Sequence, residues 1–327
     1  MEIIYHRLQR LTCFYIWLFL MKRGIELGIN ATLPSIQKAA QIANQSKMDY
    51  FFVPETNPNV MGVDAFDALE KIADGKRDMI IGTAIVNVFS RKKEQISLNA
   101  NRIYEKTNEK FVLGIGTSAP VIVEKLWKLK FERPLSRIID YTKHLRSNFR
   151  GKIFWAAVGQ KTTQLAAQNA DGVIFFLKPR KQISSDIQKI KQIVSSAGKS
   201  FDSFETICIV PTYVDSSENF KAAKTTLAKY IGANEFYSNP LSKEFEKEVM
   251  EIRKTFKESG LTKTIEKVSD DLVKELTVCG APTHCKQMLD NFQEETGCKT
   301  VIAGFDLPKE GFDSKFFENL KKLLAMM

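Results

Sequence analysis

The sequence predicts an α/β protein, a (β/α)8 TIM barrel with a helical insertion after the seventh strand. Three observations carry this. Short apolar, β-rich segments recur at 22–29, 49–54, 79–86, 110–115, 152–157, 172–177, 204–213 and 299–304, each bounded by small or polar residues. Amphipathic stretches of helical period lie between them. The connections are short, and strands at Gly82–Arg91 and Phe111–Ser118 run out in the same way into small and polar residues. Strands that alternate with helices pair in parallel, and this count of strands favours closure over an open doubly wound sheet.

The elements follow in order. The first strand opens after Met21 and runs through Lys22-Arg-Gly-Ile-Glu-Leu-Gly-Ile29. Pro34, ahead of Ile36, Ala39, Ala40 and Ala43, starts the first helix at its first turn. Asp64 to Ala73 carries Ala65, Phe66, Leu69 and Ile72 at helical spacing. Further helices are expected at 94–107, 134–149, 161–169, 181–197, 282–294 and 312–326. The stretch 214–280 is long, helical and charged, with Gly232, Asn239 and Pro240 as breaks. It is either an insertion over the barrel mouth or a set of extra helices after the seventh strand.

Residues 1–20 stand apart. Leu11 to Met21 is a short apolar run, whereas a spanning helix needs about 20 apolar residues. No small-x-small cleavage site follows it. The expectation is that 1–20 is a non-native or disordered extension and that 21–327 form one domain.

The net charge of +10 is spread along helical segments in which Lys alternates with Glu and Asp, the pattern of solvated faces. No nucleic-acid motif accompanies it, and no membrane partner is expected. The 5 cysteines form no CxxC pair, which suits reduced thiols in the cytoplasm. His284 next to Cys285 lacks further ligands nearby, so no metal is expected.

The chemistry of such a barrel sits where strands end and βα loops begin. Glu55 emerges after the second strand, as a solvated loop acid or as a rim carboxylate facing a ligand. Asn87, Ser90 and Arg91 follow the third strand; Arg91 is a surface charge or an anion's partner. Gly114-Ile-Gly-Thr117 follows the fourth; it lacks the GxGxxG fingerprint, which argues against a nicotinamide Rossmann domain. Ala156-Ala-Val-Gly-Gln-Lys161 runs from the fifth strand into a helix. It is an ordinary turn or a phosphate site built from exposed N–H groups. Beyond the sixth strand, Lys178 and Arg180 are solvated charges or binders of an anionic substrate or cofactor tail.

These blocks, together with Trp155–Gly159, Ala170-Asp-Gly172 and Val278-Cys-Gly-Ala-Pro282, resemble the bacterial luciferase-like superfamily. The likeness is strongest to its deazaflavin-dependent branch and within it to the methylenetetrahydromethanopterin reductases, and it extends from about Met21 to the C-terminus. The resemblance implies a cis peptide at Ala84–Ile85 behind a flavin-type ring. It implies that Asn87, Gly116 and Thr117 line that ring and that Val158, Gly159 and Gln160 hold the cofactor phosphate. It further implies coenzyme F420, with FMN as the alternative, hydride transfer to a small organic substrate, and a homo-oligomer. Glu55 is then the candidate proton donor or water-orienting group. The rival readings are an FMN-dependent monooxygenase and a non-catalytic flavin-binding relative.

There are departures from the family pattern. Glu55-Thr56 stands where many deazaflavin members have Asp-His, and Ala119 stands near the place of a catalytic Glu found in some sugar-phosphate members. The connection at Asn148–Gly151 is short, which is expected to reshape the mouth.

Overall fold

A computed structural model describes residues 21–55, 62–74, 77–214, 219–241 and 243–327. The expected extension 1–20 and Thr56 lie outside the described residues. Eight parallel strands close into a barrel: β1 (Lys22–Leu27), β2 (Tyr50–Val53), β3 (Ile80–Thr83), β5 (Phe111–Gly116), β6 (Lys152–Ala156), β7 (Gly172–Phe176), β8 (Glu205–Val214) and β10 (Thr300–Phe305). Closure is made by β10, whose Thr300 is in register with Lys22 on one side and Ile207 on the other. Between successive strands the chain returns through α1 (Leu33–Gln45), α2 (Ala65–Ala73), α3 (Lys93–Lys106), α4 (Pro134–Asn148), α5 (Gln160–Asn169) and α6 (Arg180–Ser196).

The period of two along each strand sorts side chains into two cores. Tyr50, Phe52, Val112, Phe154, Ile174, Ile207, Ile209 and Ile302 point inward and fill the barrel. Ile25, Phe51, Leu113, Trp155, Phe175 and Val301 point outward, under the helices. The barrel floor is polar but satisfied: the Glu205 carboxylate accepts from Lys22 Nζ at 2.6 Å and Thr300 Oγ1 at 2.8 Å. The mouth therefore lies at the opposite, carboxyl end of the strands.

After β8 come the insertion helices α7 (Asn219–Ala233), α8 (Glu235–Leu241), α9 (Glu246–Ile265) and α10 (Asp270–Leu276). They share an apolar core of their own, including Leu227, Ile231, Val249, Ile252 and Leu272. None of the three expected breaks, Gly232, Asn239 and Pro240, interrupts a helix. Gly232 is inside α7, where a Cβ would lie 2.5 Å from Phe256 Cγ, so glycine there serves close packing. Pro240 is inside α8, near its end. The chain turns instead after Ala233 and at Gly260, which has φ +74°. A three-residue strand, β9 (Val278–Gly280), returns to pair with Thr212–Val214 at the end of β8. Then α11 (Pro282–Thr296), β10 and α12 (Ser314–Leu324) finish the ring.

The short Asn148–Gly151 connection joins α4 to the start of β6. It sits at the floor of the barrel, so it does not shape the mouth. Cys285 is structural: its buried thiol contacts the Gly280 carbonyl at 3.2 Å. Among the described residues no group of His, Cys, Asp or Glu is arranged to hold a metal ion. Within those residues no helix is long and apolar enough to cross a membrane.

Where the ladder between β3 and β5 stops, a side chain takes over. Thr83 Oγ1 donates to the Gly114 carbonyl at 2.7 Å and accepts from Gly114 N–H at 2.9 Å. A Cβ on Gly114 would lie 2.1 Å from the Thr83 carbonyl oxygen. Gly114→Ala is therefore expected to destabilise the barrel by about 1–3 kcal/mol or more, because the rigid strands must separate. Urea unfolding checks this; an unchanged midpoint would contradict it.

Candidate active site

The working rim is built around the exit from β3. The Ala84–Ile85 peptide is cis. The chain is fixed on both sides of it, with Ala84 N–H donating to the Val53 carbonyl and Glu55 N–H to the Ile85 carbonyl, each at 3.1 Å. Val86–Asn87 then forms the short strand β4 along the end of β5.

Glu55 organises the loop that follows. Its carboxylate accepts from Asn87 N–H at 2.5 Å, Ser90 Oγ at 3.1 Å and Arg91 Nε at 2.6 Å. Arg91 also pairs with Asp64, the N-cap of α2. The Glu55 side chain is 2% exposed. Burial raises its pKa above the usual value, against the opposing pull of Arg91 and the hydrogen bonds. Three donors thus meet the carboxylate, and both Asn87 and Arg91 are bound to this one acid.

In front of the cis link lies a cavity of about 150 Å³, bounded by Ala84 and Ile85 on one side and by Glu26, Asp306, Tyr230 and Tyr237 on others. Glu26 comes from the inward face of β1, in register with Gly304 of β10. A Cβ on Gly304 would come within 3.2 Å of Glu26 Oε2, so glycine there makes room for the acid. Burial, reinforced by the nearby Asp306 carboxylate, pushes the Glu26 pKa up to about 8. Asp306 is also raised by burial, while Lys229 and the Tyr230 hydroxyl favour its charged form. Tyr230 and Tyr237 descend from the insertion and pack edge-to-face with each other and with Phe176, at 5.2–5.9 Å between ring centres. The insertion after the seventh barrel strand thereby roofs the mouth.

Of the residues singled out from sequence, Ala84, Ile85 and Val158 line this cavity. Gly116 lies against Ile85, where a Cβ would be 3.0 Å from the Ile85 side chain. Asn87 is buried, and its Nδ2 has no hydrogen-bond partner among the described residues. Thr117 Oγ1 turns to the Ser118 carbonyl at 3.4 Å. Gly159 caps α5, with Gln160 its first residue, and the space beside Gly159 is open.

Lys178 and Arg180 take neither of the places expected of them. Lys178 is 2% exposed and pairs with the buried Asp186 of α6. Arg180 is bound to Glu295 and to the carbonyls of Lys274 and Glu275. Neither lines the cavity in front of the cis link. Glu26, Asp306, Tyr230 and Tyr237 were not singled out from sequence. An acid between the apolar residues Ile25 and Leu27 was the available signal for Glu26, as was an acid at the end of the eighth strand for Asp306.

Residues 151–299 match the model of the luciferase-like monooxygenase family. A 5,10-methylenetetrahydromethanopterin reductase of Archaeoglobus fulgidus is 22% identical over 316 residues, covering 87% of this chain and 93% of that protein. The barrel of this chain superposes on the coenzyme F420-dependent tetrahydromethanopterin reductase of Methanopyrus kandleri with a TM-score of 0.74, at 14% identity over 94% of this chain and 97% of the other. An F420-dependent secondary alcohol dehydrogenase, solved with an F420–acetone adduct, gives 0.70 at 14% identity, with 93% and 99% covered. At these identities the structural likeness speaks for the fold.

The Glu55–Arg91 pair holds the loop beside the cis link. Replacing Arg91 by Met leaves Glu55 buried without its cation, which is expected to cost about 3–5 kcal/mol. Glu55→Gln is expected to cost less, since the amide oxygen still accepts from Asn87 N–H. Chemical denaturation of the two variants checks the order; equal or reversed losses would contradict it.

Proposed function

We propose that the protein is an oxidoreductase that moves a hydride between coenzyme F420 and a small organic substrate, in the manner of a methylenetetrahydromethanopterin reductase. The observation that carries this reading is the cavity in front of Ala84–Ile85, which has a carboxylic acid, Glu26, facing into it. The names of the curated relative and of the two solved structures support F420 over FMN.

The residues present fit such a coenzyme. Ala84 and Ile85 back the cavity, and Gly116 packs behind Ile85. Val158, Gly159 and Gln160, at the open start of α5, would hold a phosphate through backbone N–H groups. When bound, F420 supplies or accepts the hydride. The chain supplies the rest. Phe176, Tyr230 and Tyr237 exclude water from the cavity.

Glu26 is neutral at neutral pH because burial disfavours its anion. When a hydride reaches the carbon of a C=O or C=N group, the π pair moves to the heteroatom, and the Glu26 proton completes the addition there. Glu26 leaves that step as a carboxylate and regains its proton for the next turnover. Glu55 holds the loop and does not itself donate a proton, since Arg91 keeps its negative charge compensated.

Glu26→Gln is expected to lower kcat about 10²–10⁴-fold, measured with reduced F420 against a panel of carbonyl and neutral imine compounds. The wild-type rate in the reducing direction is expected to fall as pH rises through about 8, where Glu26 loses its proton. The raised pKa also sets a stability trend: its contribution is full below the ordinary value of 4.5 and is lost as pH rises through about 8. The wild type should therefore lose melting temperature over that window relative to Glu26→Gln. Infrared difference spectra of wild type minus Glu26→Gln read the proton directly. A carboxylate signal already complete at pH 6 would refute the assignment.

A further inference from the structure

A second, wider cavity of about 440 Å³ opens beside the first and shares Ile29, Tyr230 and Tyr237 with it. One wall is the loop between β5 and α4, and the other is the insertion. The two walls are joined across one end, where Phe131 of the loop meets Phe236 of α8 edge-to-face at 5.9 Å. The loop wall has an enforced shape. Residues Ile122–Leu126 form a π-helical turn, and Ser118, Lys128 and Arg133 hold positive φ of 55°, 56° and 48°. Such conformations persist only where surrounding contacts impose them, and they gather at binding sites.

The lining pairs flat apolar surface with positive charge. Trp127 and Leu126 face Tyr237 and Tyr230 across the groove, while Lys125 comes from one wall and Lys229 from the other. Neither lysine forms an ion pair among the described residues. The acid in the lining, Glu55, is already neutralised by Arg91. Lys178 and Arg180, the cations first expected to meet an anion, are paired elsewhere.

We propose that this groove anchors the substrate and selects a flat organic anion, with its apolar body between Trp127 and Tyr237 and its acidic group reached by Lys125 and Lys229. The inference rests on the reading that the adjoining cavity holds the coenzyme. It adds what that reading lacks, a class of substrate: a carbonyl or imine compound carrying an aromatic or heteroaromatic body and a carboxylate or phosphate. The shared wall of Tyr230 and Tyr237 lets one end of such a molecule reach the Glu26 cavity while its charged end stays between the lysines.

The test compares 2-naphthoate with its neutral isostere 2-naphthamide on the full chain at low salt. Binding is read from the fluorescence of Trp127, with Trp127→Phe as the control for the other tryptophans. Naphthoate is expected to bind about tenfold more tightly than the amide, the effect of two partly screened charges. Lys125→Gln with Lys229→Gln should bring the ratio to about one and leave the amide's affinity unchanged. Equal binding of the two probes to the wild type, or a preference that survives the double substitution, would overturn the proposal. Displacement of naphthoate by saturating F420 would also overturn it, by giving the groove to the coenzyme. Lysine-dependent naphthoate binding by a protein that binds no F420 would keep the anion site and remove the coenzyme reading instead.

Discussion

The chemistry of this mouth depends on the desolvation of one carboxyl group. Glu26 points inward from β1 because the strand's other face, Ile25 and Leu27, must lie under the helices. Closing the ring then surrounds it with Gly304, Ile209 and the tyrosines of the insertion. Among the described residues no cation pairs with it, and Asp306 nearby makes its ionisation costlier still. An acid so placed keeps its proton near neutrality. The barrel, the glycine opposite and the roof from α7 and α8 are all needed for that result.

Glu55 shows the opposite solution a short way along the same rim. It too is buried, but Arg91 and two further donors meet its oxygens. Its charge is used to fix the backbone after the cis link, and through Asp64 it is tied to the start of α2. Two acids of the same type therefore divide the work. The one held by Arg91 fixes the loop, and the other, with no ion pair among the described residues, faces the cavity before the cis link. The departure from the Asp-His pair that the resemblance led one to expect is easier to understand on this basis, since Glu55 reaches back to the β3 loop.

Much of the scaffold was legible from the chain. Each expected strand is present within a few residues, because alternating apolar runs with short connections leave little freedom in a parallel ring. The Ala84–Ile85 link followed from resemblance alone; nothing local in Thr83-Ala-Ile-Val86 announces it. Glu26 was passed over because a single acid in a short strand reads as a solvated face. Only closure of the ring makes both faces interior. Tyr230 and Tyr237 were out of reach for a related reason: helical period places them on helices but does not say that those helices cross the mouth. Lys178 read as a rim charge from its position, yet its partner Asp186 lies on the next helix and draws it into the wall. The strand β9 has three residues, too few for any periodicity to register.

The central claim is that the cavity before Ala84–Ile85 receives the ring of F420. Titration of the purified protein with F420 and, separately, with FMN, followed by the absorbance of each coenzyme, tests it most directly. Saturable one-to-one binding of F420 at micromolar concentrations, much weaker binding of FMN, and loss of F420 binding when Ile85 is replaced by a bulkier Trp would agree with it. Binding of neither coenzyme, or of FMN in preference to F420, would contradict it.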